Sequence, residues 1–314
     1  MVPSRFHSPL QRCRQVAGVA YSERMPRIGA HMSIGGGLPR AVDRAALHGC
    51  EALQIFTKSA GQWRARPLPP DEVRAFRRRV EETGITPVVA HASYLINLAT
   101  RDGTLRAQSM TSLAEELDRA EALGLAGVVL HPGACTAGED DGGLQLIAQS
   151  LRSVLGVKPR ARVRVLLEHT AGQGTVLGHT FEQLARIIEL TDGSPRVGVW
   201  LDTCHLLAAG YDIATDSGYA DVFAWFSQVI GLERLKGFHL NDSKTALGSR
   251  IDRHEHIGHG HLGLDTFRRV LNDPRFASLP MLIETAKTEH GSRTNVTLDR
   301  LDVRNLSALR ALLT

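Results

Sequence analysis

The stretch 197-VGVWLDTCHLLAAG-210 decides how this chain is read. Residues 197–201 form a short, continuous apolar run, the pattern of a strand buried on both faces, as in a parallel sheet. The run stops at Asp202, Thr203, Cys204 and His205, which sets an acid and an imidazole three residues apart. A core strand that ends on ligand-type side chains is the way a barrel builds a site at the C-terminal ends of its strands.

Seven other segments repeat the pattern: RIGAHMS (27–33), ALQIFT (52–57), TPVVAHAS (86–93), GVVLHPG (127–133), RVLLEHT (164–170), LKGFHLND (235–242) and PMLIETA (280–286). Between them lie helices with visible punctuation. In PPDEVRAFRRRVEETG, Val73, Phe76 and Val80 share one face and Gly84 supplies a C-terminal cap. SMTSLAEELDRAEALG repeats Leu113, Leu117 and Ala120 and ends at Gly124. In TFEQLARIIEL, the spacing of Thr180 and Gln183 predicts a capping box. Eight strand–helix units without a Pro- or Ser-rich linker predict an α/β fold, a single closed (β/α)8 TIM barrel of the xylose isomerase type. A doubly wound open sheet is the competing architecture. It would call for a phosphate-binding glycine loop after the first strand, and GGG at 35–37 lacks that GxGxxG spacing.

The predicted domain organisation is an N-terminal extension over residues 1–25, read as a disordered tail or as sequence ahead of a start at Met25, followed by a barrel domain over 26–314. The extension holds Arg5, Arg12, Arg14 and Arg24 against Glu23, so it carries most of the formal charge of +4. Bulk charge therefore does not mark a nucleic-acid binder. No apolar run approaches the ~18 residues that span a bilayer, so no membrane role is expected. Cys13, Cys50, Cys135 and Cys204 form no CxxC pair, which reads as reduced thiols in a cytoplasmic protein.

Ligand-type residues cluster where the predicted strands end. His91, His131, Glu168 and Asp202 close the third to sixth strands, His239 and Glu284 lie near the ends of the seventh and eighth, and His205 follows Asp202. Asp252 and His254 occupy the long loop after the seventh strand, spaced so that extended backbone turns both side chains the same way. Singly, a buried His is more often hydrogen-bonded core and an Asp more often a helix cap. Six of eight strands ending this way is a different matter. Four carboxylates buried together would repel one another, a cost that bound cations remove. Imidazole and carboxylate donors without Cys suit Zn²⁺, with Mn²⁺ the alternative at one position. Cys204, by strand parity, is expected to face away. Nine donors suffice for three ions with three protein ligands each. Several ions in one cleft point to phosphoester hydrolysis, where they activate water and neutralise phosphate charge.

The chain resembles endonuclease IV, the zinc-dependent apurinic/apyrimidinic (AP) endonuclease family of base-excision repair. The resemblance runs from about Arg27 to Glu284 and rests on IGAHMSIGGGL, FTKSAGQWRA, HASYLINLA, HPG, LEHTAGQG, GVWLDTCHLLAAGYD, GFHLNDSK, GSRIDRHEHIGHG and LIETAK. It implies three zincs per chain. One would be held by His91 and His131, a second by Asp202, His239 and Glu284, with Glu168 bridging the two as the central catalytic ligand, and a third by His205, Asp252 and His254. It further implies hydrolysis of the phosphodiester 5′ of an abasic site in double-stranded DNA to leave a 3′-hydroxyl, trimming of blocked 3′ ends, and a monomeric enzyme. Tyr94, Leu95, Gln62 and Trp63 match DNA-contacting positions, although the apolar character of Tyr94 and Leu95 alone would place them in the core. Gly61 stands where well-known members carry an arginine inserted into the base stack, and Ala92 replaces an aspartate of some members. His31 is read as supporting the ligands rather than joining them. The rival reading is a single-metal sugar isomerase or epimerase on the same barrel. It would use Glu168, Asp202, His239 and Glu284 and leave the other five residues unexplained. A lesion-binding protein without turnover is a third reading.

Overall fold

The computed structural model describes residues 25–288 and 295–314, so residues 1–24 of the expected extension lie outside it. Eight parallel strands close into a barrel: β1 (Arg27–His31), β2 (Ala52–Phe56), β3 (Val88–His91), β4 (Gly127–Leu130), β5 (Arg164–Glu168), β6 (Val197–Asp202), β7 (Leu235–His239) and β10 (Pro280–Ile283). Around the barrel, neighbours run β1-β10-β7-β6-β5-β4-β3-β2, which settles the open-sheet alternative. Two short strands, β8 (Asp242–Ser243) and β9 (His254–Glu255), pair antiparallel above β7. The helices are α1 (Leu38–Leu47), α2 (Pro70–Thr83), α3 (Gly103–Leu123), α4 (Asp140–Val157), α5 (Phe181–Leu190), α6 (Thr203–Ala209), α7 (Asp216–Val229), α8 (Gly263–Leu271) and α9 (Arg300–Arg310).

Local chemistry sets the helix ends. Gly84 and Gly124 cap α2 and α3 in the left-handed region, with φ of 68° and 76°, where a Cβ would be strained. Thr180 caps α5 by accepting from the Gln183 amide at 3.2 Å, but only half of the expected capping box forms. The Gln183 side chain instead accepts from the amides of Gly178 and His179, because these loop donors precede the helix and have greater need of a partner.

Two apolar layers fill the molecule. The larger packs the helices on the outer face of the barrel. The smaller one, Ala52, Val89, Val129, Leu166, Trp200 and Leu282, fills the interior. Side chains alternate along a strand, so the inward residue two positions later lies one layer higher: Gln54, His91, His131, Glu168, Asp202 and Glu284. Gly237 takes the interior position on β7, and a Cβ there would come within 2.3 Å of the Trp200 ring. The indole thus forms a floor under His239. The barrel interior is therefore apolar at Trp200 and ionisable one layer above.

Candidate metal centre

Glu168 sits at the middle of this layer, fully buried on β5. Its Oε2 lies 3.2 Å from His91 Nε2 and 3.0 Å from His131 Nε2. Its Oε1 lies 2.9 Å from His239 Nδ1. The same imidazole nitrogen is 3.3 Å from Glu284 Oε2 and 3.8 Å from Asp202 Oδ2. Beyond Asp202, the Nε2 atoms of His205 and His254 lie 3.1 and 3.2 Å from the two oxygens of Asp252. Donor atoms thus gather in four groups, each within 4.8 Å: His91, His131 and Glu168; Glu168, Asp202, His239 and Glu284; His205, Asp252 and His254; and Asp202, Cys204 and His254.

The backbone explains how these residues meet. Asp202 ends β6 and caps α6, its Oδ1 accepting from the amides of Cys204 and His205 at 2.7 and 3.1 Å. That turn leaves Oδ2, which also accepts from the Asn241 side-chain amide, facing the neighbouring imidazoles. His254 reaches the site because β9 pairs with β8, with Ser243 opposite His254. Asp242 holds the loop that follows: its buried carboxylate accepts from the amides of Ser243, Gly258, Gly260 and Leu262.

Several imidazoles are held in a defined tautomer. His91 Nδ1 donates to the Ala92 carbonyl at 2.7 Å, and His205 Nδ1 to the His169 carbonyl at 2.8 Å. A carbonyl only accepts, so in the neutral ring Nε2 carries the lone pair that faces the carboxylates. The buried Nε2 atoms of His205 and His254 have no hydrogen-bond partner, although Asp252 oxygens lie close by. Short separations without hydrogen-bond geometry, between lone-pair donors, fit atoms aimed at a common cation. Without an ion, protonation relieves the conflict. Burial alone would lower His91 and His254, but Glu168 outweighs it at His91, and Asp202 with Asp252 at His254, so both are pushed up to about 9. Glu168 is held well below the usual carboxylate range, since His131 and His239 override its burial.

Cys204 departs from the parity expectation. β6 ends at Asp202, so Cys204 belongs to the first turn of α6, and its thiol lies within 4.8 Å of Asp202 and His254. Burial pushes that thiol well above its ordinary value, and it donates to the Arg253 carbonyl at 3.6 Å. Tyr94 and Leu95 are not core: Tyr94 is 67% exposed, Leu95 half-buried, and the Tyr94 ring lies 5.4 Å from His91. Gln62 is exposed and Trp63 half-buried, while a Cβ on Gly61 would meet no heavy atom within 4 Å apart from those of Gly61 and its two chain neighbours. Ser93 Oγ donates to the Ala60 carbonyl at 2.5 Å, linking these two loops.

Two contributors do not stand out in the sequence. Asn241, within GFHLND, donates to Asp202 Oδ2 at 2.7 Å and accepts from the Glu284 amide at 2.8 Å. Gln54 is a fully buried amide in the middle of the apolar strand ALQIF, bonded to His239, His31 and Glu284. A lone amide inside a buried strand is the one signal that could have marked it.

A TIM barrel whose strand ends assemble clustered imidazoles and carboxylates defines a metal-dependent enzyme scaffold. Residues 42–303 match the family model described as xylose isomerase-like TIM barrel. A probable endonuclease 4 of Chloroflexus aurantiacus is 48% identical over 92% of this chain and 98% of its own length. The crystal structure of endonuclease IV from Thermus thermophilus superposes with a TM-score of 0.80 at 38% identity, covering 91% of this chain and 98% of that one. The chain belongs to the endonuclease IV family and is a hydrolytic nuclease. A D-tagatose 3-epimerase-like protein also superposes, with a TM-score of 0.69 at 18% identity, and shares the fold alone.

Proposed function

We propose that this chain is a DNA-repair endonuclease that hydrolyses the phosphodiester 5′ of abasic sites in double-stranded DNA, leaves a 3′-hydroxyl, and trims 3′-phosphate and 3′-phosphoglycolate ends. It would act as a monomer in the bacterial cytoplasm, with residues 26–314 as one catalytic unit. Among the described residues, no helix is long and apolar enough to cross a membrane. The observation that carries the reading is the division of Glu168 between two groups, Oε2 toward His91 and His131 and Oε1 toward His239.

The donor set fits three Zn²⁺, with Mn²⁺ the alternative at one position. His91 and His131 would hold one, Asp202, His239 and Glu284 a second, with Glu168 shared, and His205, Asp252 and His254 the third. Ions bound there supply Lewis acidity, lowering the pKa of a water and neutralising phosphate charge. The protein's part is to fix the donors. Glu168 keeps two groups of ligands at one spacing, while the carbonyls of Ala92 and His169 turn Nε2 of His91 and His205 into the cleft. Tyr94, exposed beside His91, and Leu95, Gln62 and Trp63 on the linked loops would meet the DNA where its abasic nucleotide leaves the stack. A single-metal sugar enzyme would leave His91, His131, His205, Asp252 and His254 without purpose.

The test is a duplex oligonucleotide bearing one tetrahydrofuran abasic analogue, which cannot undergo β-elimination. The expected product is a nick 5′ of the analogue with a 3′-hydroxyl. An intact duplex after incubation with protein holding three zincs would overturn the proposal.

A further inference from the structure

β1 and β2 supply none of the nine proposed ligands, yet each places a polar side chain in the same layer of the barrel. His31 ends β1 and Gln54 lies on β2. The Gln54 side chain is fully buried, and its hydrogen bonds go to the site alone. The orientation of its amide follows from chemistry. A carboxylate only accepts, so the atom beside Glu284 Oε1 is the amide nitrogen, which donates to it. The amide oxygen then faces His239 Nε2 at 2.9 Å. That oxygen also only accepts, so His239 carries a proton on Nε2. Its Nδ1 is hydrogen-bonded to Glu168 Oε1 at 2.9 Å and lies 3.3 Å from Glu284 Oε2, and it is the nitrogen that holds the lone pair when the ring is neutral. The second amide N–H faces His31 Nδ1 at 2.9 Å, and that nitrogen lies 3.3 Å from Glu284 Oε1.

We infer that Gln54 is a positioning residue of the metal centre: it fixes His239 in the Nε2–H tautomer and steadies Glu284, so that one ion position depends on an amide outside the ligand set. The inference rests on the three-metal reading above. His239 then differs from His91 and His205, which turn Nε2 toward the cleft. A lone pair facing two carboxylate oxygens is repulsive unless a cation lies among them, so the tautomer that Gln54 imposes suits a metal-loaded site.

The test uses the zinc-loaded enzyme. Gln54→Met keeps the unbranched shape and removes all three hydrogen bonds. In a graded chelator competition, one of three zincs is expected to bind about 10–100-fold more weakly, the usual cost of losing such a partner, while the other two and the circular dichroism stay as in the wild type. Chelator curves that superimpose on the wild type would overturn the inference. In case the variant fails to fold, long-range ¹H–¹⁵N spectra of the wild-type imidazoles provide an independent measurement, with the His239 signal assigned through His239→Asn. The expected pattern is a protonated Nε2 and a zinc-shifted Nδ1, and a protonated Nδ1 would overturn the inference. Wild-type protein that retains fewer than three zincs would instead sink the metal-centre reading itself. Wild-type protein with three zincs and an unchanged Gln54→Met sinks only the role of Gln54.

Discussion

Glu168 is the residue on which most depends, because its two oxygens serve different groups of imidazoles. Glu168→Ala removes both at once. Cleavage of the abasic duplex is expected to fall by about a thousandfold or more, the several kcal/mol that metal-assisted charge stabilisation is worth, while gel-shift binding of the duplex survives in part. Product formation equal to wild type would contradict the assigned role. Gly61 is the opposite case, an exposed position with open space around it where the family resemblance leads one to expect an arginine. Gly61→Arg is expected to leave thermal stability within about 0.5 kcal/mol. It should lower KM about fivefold through ~1 kcal/mol of contact with the bases, at constant kcat. Steady-state kinetics on the tetrahydrofuran duplex reads both parameters.

The strands explain why so much of the site is legible in the sequence. Five of the proposed ligands stand two residues after an interior apolar side chain, as Leu166 before Glu168 and Trp200 before Asp202, and alternation turns both inward, whereas His239 follows Gly237. Apolar runs ending in His, Asp or Glu therefore report position and chemistry together. Gln54 obeys the same rule but sits inside its run rather than at the end, and an amide is not a ligand type. Cys204 escapes the parity rule because strand alternation stops where α6 begins. Which donors share an ion is not legible from spacing and comes only from resemblance, since contacts such as Glu168 to His239 join distant strands. The β8–β9 excursion reads as a loop, its pairing being too short to show as a pattern. Asp242 holds that excursion through four backbone amides. Asp242→Asn turns an amide N–H₂ toward some of these donors and is expected to cost about 2–4 kcal/mol. It should also loosen zinc at His205, Asp252 and His254. Thermal unfolding with parallel zinc analysis separates this from a neutral change.

Over the whole molecule, ion binding and protonation compete for the same layer. In the ion-free chain, His91 and His254 are pushed up to about 9. Raised imidazoles contribute stability that is fully present below the unfolded value of ~6.5 and lost as pH rises through about 9. Zinc requires these rings neutral, so its uptake at pH 7 must expel their protons, and its apparent affinity should rise between pH 7 and 9. Calorimetric titration of zinc into the stripped protein, in buffers of differing ionisation enthalpy, should show net proton release; uptake with no release would contradict this. The proposed trinuclear centre underlies the expectations for cleavage and zinc uptake, and elemental analysis of the purified, desalted protein tests it most directly. Three divalent ions per chain, zinc predominating, is the predicted result, and a single ion per chain on fully folded protein would contradict it.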